Sequence, residues 1–229
     1  MYWDLFIVLM IVAVFAIVIT AFAVSDAAHA KKAKGQGAWA GRNGWRFQEK
    51  RPELAAYFTG TPFVEGGNAK YVVSGAHRGH RAMQYEYSYV VVGGGGQTTT
   101  TQPHLYRVTA LETPVPTPVL EVREGGVGDV IREIFGSRGL ELDDEPFDTA
   151  FRVTTTDEDF ARAVLTADVR AWLLGLHAGS RFPFRFTGDH VICWETTAVG
   201  PEPDLAPADF LADLFERLPS GVWDRARRT

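Results

Sequence analysis

Two histidines, His77 and His80, come nearest in this chain to the spacing of a metal site. Glu86 is a conceivable third ligand, because zinc accepts both imidazole and carboxylate groups. On a strand, however, a spacing of three places the two imidazoles on opposite faces unless a turn brings them together. Since zinc sites need three or four convergent ligands, we expect no metal site here.

Cys193 raises the second chemical possibility, because Asp189 and His190 precede it closely. A thiolate nucleophile needs an adjacent imidazole for its activation. His190 and Cys193 are separated by an odd number of residues, so a strand would turn them to opposite faces. The cysteine is the single one of the chain and lies in the apolar run 191–194, which favours a buried core residue. We therefore predict no catalytic residue.

Glycine-rich and acidic segments also lack the residues that cofactor sites require. The glycine run 93–96 is not followed by the Lys-Ser/Thr pair of a phosphate-binding loop. An acidic cluster has too little glycine, and no terminal glutamate at the right spacing, for a calcium loop; its members are Glu141, Asp143, Asp144 and Glu145. No cofactor is expected, and enzymatic activity has no positive support.

The charge of the chain is unevenly distributed. The formal net charge is −5, but residues 25–51 carry seven bases against two acids, and with Asp4 also set aside residues 52–229 have a net charge of −9. An acidic domain repels phosphate backbones, so we expect no nucleic-acid partner. The apolar content of 46% is sufficient for a sizeable core and excludes a wholly disordered chain.

The N-terminus predicts a transmembrane anchor over residues 1–24. Residues 5–24 contain no charged side chain, and 20 residues of helix span about 30 Å, which is the thickness of a bilayer core. The alternative is a cleaved signal peptide, because residues 28–30 resemble a cleavage site. That alternative requires a basic start and a shorter apolar stretch, and the chain has neither. The bilayer is therefore the expected partner of residues 5–24.

The orientation of this anchor follows from the basic residues beside it. No Lys or Arg precedes the apolar stretch, whereas Lys31, Lys32 and Lys34 follow it closely. Positive residues remain on the cytoplasmic side. We expect a single-pass protein of the cell membrane, with its N-terminus outside and its domain in the cytoplasm.

Residues 25–44 are rich in Ala, Gly and Lys and predict a basic juxtamembrane linker. Gly35, Gly37, Gly41 and Gly44 are expected to interrupt any helix in this segment. The soluble domain then covers residues 45–229.

The soluble domain contains strand-like segments that predict an antiparallel sheet. The clearest strand covers residues 83–91, where every odd position is apolar or aromatic while Gln84, Glu86 and Ser88 occupy the other face. A strand at 69–74 forms a hairpin with it. Further strands are predicted at 104–111, 119–123 and 147–154, and Pro114, Pro116 and Pro118 form a connector between the first two of these.

Helical segments complete the predicted architecture. Thr156 and Asp159 resemble a capping box that begins a helix over 157–174, and shorter helices are expected at 52–58 and 208–218. Residues 182–186 and 191–195 predict a β-hairpin around the turn 187–190. The fold class is α+β, with the N-terminal transmembrane helix followed by a mainly antiparallel sheet, or partly closed barrel, packed by two or three helices.

Several segments between residues 45 and 223 resemble a group of actinobacterial membrane-anchored proteins with no assigned activity. The segments are Gly60-Thr61-Pro62-Phe63, Tyr85-Glu86-Tyr87, Phe147-Asp148-Thr149-Ala150-Phe151-Arg152-Val153, Val164-Leu165-Thr166, Trp172-Leu173-Leu174 and Phe184-Arg185-Phe186-Thr187-Gly188-Asp189. The resemblance implies an anchor and a shared fold. It assigns no functional residue.

Three hypotheses for function follow. The first is a membrane-tethered interaction or scaffold module whose acidic cytoplasmic domain binds a protein partner at the membrane. The second is a small-ligand or lipid-binding domain with an apolar cavity lined by Tyr85, Tyr87 and Tyr89. The third is an unrecognised enzyme that uses His77, His80 or Cys193.

Overall fold

A computed structural model describes residues 26–94, 99–125 and 138–227 of the chain. The predicted anchor over residues 5–24 lies outside these ranges. Within them, no helix combines the length and the apolar character needed to cross a membrane.

In the described ranges, seven strands form one open antiparallel sheet with short helices around it. The strands are β1 (Arg46–Lys50), β2 (Asn68–His77), β3 (His80–Gly94), β4 (Thr99–Glu124), β5 (Arg138–Leu140), β6 (Phe151–Thr155) and β7 (Phe184–Glu195). Their order is β1-β2-β3-β4-β6-β5, and β7 also pairs with β4. The α+β class and the mainly antiparallel sheet are confirmed, and the sheet is open rather than a barrel.

The helices are α1 over residues 26–43, α2 (Glu145–Ala150), α3 (Glu158–Val164), α4 (Ala167–Gly175), α5 (Ala206–Arg217) and α6 (Val222–Ala226). Two short 3-10 helices cover Pro52–Ala55 and Ala178–Ser180. The predicted helix over 157–174 is divided into α3 and α4, because Thr166 caps a new helix by accepting a hydrogen bond from Val169 N at 3.4 Å. The predicted strand over 147–154 begins only at Phe151, since Asp144 caps α2 immediately before it.

Strand β4 is continuous where a proline connector was predicted, and this prediction is wrong. The strand keeps β7 as its partner, with register shifts between Glu112 and Thr117 and between Thr117 and Leu120. Prolines lack the N–H that a regular ladder needs, and such irregularities accommodate them.

Strand β7 is also continuous, so the predicted hairpin over 182–195 is wrong. Both halves of β7 pair with β4 rather than with each other. Gly188 has a φ of 57° opposite the irregular part of β4, and its carbonyl accepts a hydrogen bond from Thr117 Oγ1 at 3.1 Å. A glycine takes this left-handed conformation without steric cost.

Helix α1 occupies the segment predicted as a linker, so the expectation that its glycines interrupt any helix is wrong. A Cβ on Gly35 would lie 2.8 Å from Pro201 Cβ and closer still to the Pro201 carbonyl oxygen. Gln36 Nε2 donates to Gly200 O at 2.8 Å, and Lys32 Nζ lies 2.9 Å from Glu86 Oε2. The small residues let α1 pack against the domain.

The sheet is covered on both faces. Its helical face packs against α3 to α6, and α1 lies on the same side through Lys32 and Glu86. Its other face, the loop face, packs against residues 52–67 in a cluster that contains Leu54, Phe58, Phe63, Tyr85, Tyr87, Ile192 and Trp194. Gln84 and Glu86, on the polar face of the predicted strand, are therefore buried, with exposures of 2% and 4%.

Candidate functional site

An open groove of about 710 Å³ crosses the loop face beside the segment 52–67. Five strands supply its floor and one wall, and residues 51–57 form the opposite wall. Its lining includes Arg46, Gln48, Arg51, Glu53, Tyr57, Ser74, Arg81, Met83, Glu112 and His190. We call this feature the sheet groove. Its size falls within the range of ordinary ligand sites, which is about 300–1,000 Å³.

Arginines give the sheet groove its exposed positive charge. Arg46 is exposed and forms no ion pair with any residue in the described ranges. The Arg81 side chain is 86% exposed, although its Nε lies 3.0 Å from Glu112 Oε2. Such exposed pairs contribute less than about 1 kcal/mol. A carboxylate of a ligand can therefore displace Glu112 from Arg81 at a small cost in free energy.

Tyr57, Asp189 and His190 form a hydrogen-bonded group on the wall of the sheet groove. Tyr57 OH donates to Asp189 Oδ1 at 3.0 Å, and His190 Nδ1 lies 2.7 Å from the same oxygen. Partial burial raises the pKa of Asp189, but its hydrogen bonds to His190 and Tyr57 outweigh this effect and hold the pKa below its usual range. Burial and the carboxylate of Asp189 raise the pKa of Tyr57. Asp189 thus stays ionised and orients both neighbours.

Cys193 does not belong to this group. It lies in the apolar cluster of the helical face, fully buried, with its Sγ 3.6 Å from Pro207 O. His190 lines the sheet groove on the loop face, so the two side chains occupy opposite faces of β7, as their spacing predicts. Burial raises the pKa of the Cys193 thiol well above its usual value. A protonated, inaccessible thiol cannot act with His190.

The two histidines at the β2–β3 turn contact helix α5. His77 Nε2 lies 2.8 Å from Asp209 Oδ1, and the His80 ring packs edge-on against Phe215 with 5.0 Å between the centroids. Glu86 pairs with Lys32. In the three described ranges, no group of three or more His, Cys, Asp or Glu side chains is arranged to hold a metal ion.

The acidic cluster before α2 has a structural role. Asp144 accepts a hydrogen bond from Phe147 N at 3.3 Å and lies 2.6 Å from Arg170 Nε. Asp143 has a φ of 57°, which places it in a tight turn. These contacts cap α2 and join it to α4.

A buried cation that the sequence analysis missed positions the wall of the sheet groove. Arg185 Nε donates to Glu121 Oε2 at 2.7 Å, and both side chains are 1% exposed. The same guanidinium donates to the carbonyl oxygens of Thr59 and Thr61. It therefore fastens the segment that follows Tyr57 to the sheet. The only signal in the sequence is an arginine between phenylalanines, which also describes an ordinary solvent-facing position.

The groove residues themselves carried no motif. Arg46, Gln48, Arg81 and Tyr57 come from β1, β3 and the 51–57 segment, and they become neighbours only when the sheet forms. Their separation along the chain explains why no local pattern identified them.

These features define an α+β fold built on one open antiparallel sheet, with helices on one face of the sheet and a charged groove on the other. The fold is similar to that of the mycobacterial trehalose monomycolate transport factor A, TtfA, known from a crystal structure. The TM-score is 0.54 at 17% sequence identity, over 82% of this chain and 96% of that one. No protein-family model and no curated protein sequence matches this chain. The similarity shows a shared fold.

Proposed function

We propose that this chain is a membrane-tethered interaction module whose sheet groove binds an acidic segment of a protein partner. The observation that carries the proposal is the exposed positive charge of Arg46 and Arg81 in an open groove of an otherwise acidic domain. A local patch of this kind selects acidic partners, while the acidic remainder disfavours wrong ones.

The position of strand β1 favours an extended partner. Arg46 and Gln48 line the sheet groove from β1, which is an edge strand of the sheet and pairs only with β2 among the described strands. An extended segment laid along this strand can hydrogen-bond to its backbone, and the arginines can pair with the carboxylates of the segment. The charges on β1 discourage less specific strand pairing.

The proposed location is the cytoplasmic side of the cell membrane, because residues 5–24 predict an anchor with its positive flank on the domain side. The structural neighbour of this chain, TtfA, is named as a transport factor for trehalose monomycolate. A tethered module that brings a partner to a lipid-transport process agrees with that name.

A polar small ligand is the second candidate, favoured by the lining of the sheet groove. Gln48, Ser74 and His190 offer hydrogen-bonding groups in a space of about 710 Å³. Tyr85 and Tyr87 are fully buried in the packed loop-face cluster, so they do not line an open apolar cavity as the second hypothesis requires. The ligand of this candidate is therefore polar, such as the headgroup of a glycolipid.

Site-specific photocrosslinking in native membranes tests the proposal. A benzoylphenylalanine in place of Gln48 should give a discrete crosslinked species of higher mass, since Gln48 is exposed in the groove. The same residue in place of Asp168, exposed on α4 at the other face, is the matched control and should give none. The charge reversals Arg46→Glu and Arg81→Glu together should abolish the crosslink, and so should high salt.

Equal crosslinking from both positions, or a crosslink that survives charge reversal, would contradict the proposal. Native mass spectrometry of the purified full chain separates the second candidate from the first. A bound small molecule that is lost in Arg46→Glu and Arg81→Glu, without a crosslinked protein, would favour the polar ligand.

A further inference from the structure

Strands β3 and β4 extend beyond the rest of the sheet as a two-stranded projection. The outermost pair between β2 and β3 is Asn68 with Ser88, and that between β4 and β7 is Arg107 with Glu195. Beyond these pairs, Tyr89–Gly94 and 99–105 pair only with each other. Six residues of strand span about 20 Å. We call this projection the β-arm.

The β-arm carries an unusual share of exposed apolar surface. Val90, Val91, Val92 and Leu105 are exposed by 57%, 47%, 67% and 37% respectively. Residues 89–105 contain no Asp, Glu, Lys or Arg, although 22% of the whole chain is charged. A two-stranded ribbon is only marginally stable in water, and an exposed apolar patch of this kind usually marks a site that contacts another molecule or a membrane.

The β-arm and the start of α1 lie at the same end of the sheet. Lys32 of α1 contacts Glu86, two residues before the last position that β3 shares with β2. At the opposite end, the Trp45 ring packs where a Cβ on Gly75 would stand, and Gly75 pairs with Ala82 near the start of β3. The first residues of α1 therefore lie nearest to the β-arm, and the helix continues from there towards the opposite end of the sheet.

The apolar side chains of the β-arm also project on the face of the sheet against which α1 lies. Val90 and Val92 have the same strand parity as Glu86, whose side chain faces α1, and Leu105 pairs with Ser88 on that side. The predicted anchor ends two residues before the described start of α1. From the described start of α1 to Lys32 the helix rises about 9 Å, whereas the β-arm is about 20 Å long. The β-arm therefore reaches further than the start of α1 in the direction of the predicted anchor.

We propose that the β-arm rests in the surface of the lipid bilayer, with Val90 and Val92 inserted beside the anchor. The inference rests on the membrane tether of the proposed function. The absence of charge in residues 89–105 fits a lipid surface better than a protein partner of the acidic domain. Tyr89, stacked on His104 at 4.7 Å and on Tyr106 at 6.1 Å, supplies the aromatic groups typical of a membrane interface.

Spin labels on the full chain in lipid nanodiscs test this placement, in a Cys193→Ala background. A nitroxide on Val92→Cys should be more accessible to oxygen than to a water-soluble nickel complex. The control is Arg81→Cys on the same strand, about 36 Å away at the other end of the sheet, and it should show the opposite preference. Val90→Cys provides a second label if the first variant folds poorly, with circular dichroism as the folding check.

A third label on Val12→Cys reports on the anchor itself. If Val12 is in hydrocarbon while the Val92 and Val90 labels are in water, the β-arm placement is wrong and the tether stands. If all three labels are in water, the tether of the proposed function also fails. Burial of the Val92 label against protein, with no preference for oxygen, would equally overturn the lipid assignment.

Discussion

Arg185 is a guanidinium removed from water and compensated by several partners at once. Its charge is met by Glu121, whose other oxygen lies 2.8 Å from Arg123 Nε, and its plane lies over the Trp194 ring at 5.1 Å. Burial lowers the pKa of Arg185, and the neighbouring carboxylate of Glu121 opposes that shift. Because a buried charge is costly without a partner, Arg185 and Glu121 each depend on the other.

Replacement of Arg185 by leucine should therefore lower the free energy of unfolding by about 3–5 kcal/mol, since it leaves the buried Glu121 Oε2 without its partner and Arg123 as the remaining cation beside the carboxylate. Replacement of both residues by leucine should recover much of the loss. Urea unfolding of the purified chain, followed by tryptophan fluorescence, measures both effects.

The control for this prediction is Arg42→Leu, which breaks an exposed pair with Glu202 whose side chains are each 61% exposed. This change should cost less than about 1 kcal/mol. An Arg185→Leu cost as small as that of Arg42→Leu would show that the buried pair is not needed.

Side-chain direction was predictable where it depends on the local strand period. His190 and Cys193 lie on opposite faces because successive residues of a strand alternate. Burial was not predictable in the same way. Nothing in the sequence marks Arg185 or Gln84 as buried, but distant segments, 59–61 and Asp204, cover them.

Helix α1 shows how glycine in a helix can serve contact rather than interruption. Gly35 meets Pro201, which is distant in the chain, and the nearest atom to a Cβ on Gly37 would be the Phe47 ring at 3.2 Å. A Cβ on Gly41 would meet nothing within 4 Å outside its own helix. The sequence contains the same residue at each position, so only the fold distinguishes a glycine that packs from one that does not.

This difference predicts opposite results for two alanine substitutions. Gly35→Ala should destabilise the chain by about 1–3 kcal/mol, because the added methyl group forces α1 away from Pro201. Gly41→Ala is the matched control and should be neutral or stabilise by up to about 1 kcal/mol through helix propensity. Thermal unfolding of the two variants is the measurement. Equal shifts in Tm would mean that α1 does not pack against residue 201.

The strands divide in the same way between local and distant causes. The β2–β3 hairpin was predicted because its turn and both strands lie within 69–91. The pairing of β7 with β4 was missed because it joins residues such as Arg107 and Glu195, and a local turn signal at 187–190 suggested a hairpin instead. Long-range partners override local preferences.

At the scale of the whole molecule, the α+β class followed from the sequence because amphipathic periods reveal element types. The two-sided cover of the sheet did not follow. It depends on residues 52–67 and on the helices being placed on opposite faces, which no single segment encodes. The sheet groove is a product of that incomplete cover on the loop face.

A cysteine at residue 41 tests the proposed anchor orientation, with the domain in the cytoplasm. Gly41 is exposed and a side chain there would have free space, whereas a side chain at Gly35 would meet Pro201. We expect a membrane-impermeant thiol reagent to leave Gly41→Cys unlabelled in intact cells and to label it after lysis.

The unaltered chain is the control for this labelling, because its buried Cys193 should not react in either condition. Labelling of Gly41→Cys in intact cells would place the domain outside the cytoplasm. It would also remove the proposed cytoplasmic partner.

The packing of α1 against residues 200–202 has a mechanical consequence. A domain on a flexible linker sweeps a wide volume and meets its partners at many heights above the membrane. Here α1, which follows the proposed anchor, is packed against the domain, so an anchor over residues 5–24 would hold the groove at a nearly constant height above the membrane. A partner fixed in the same membrane would then meet the groove at a high effective concentration if its acidic segment lies at that height, and a partner at another height would be out of reach.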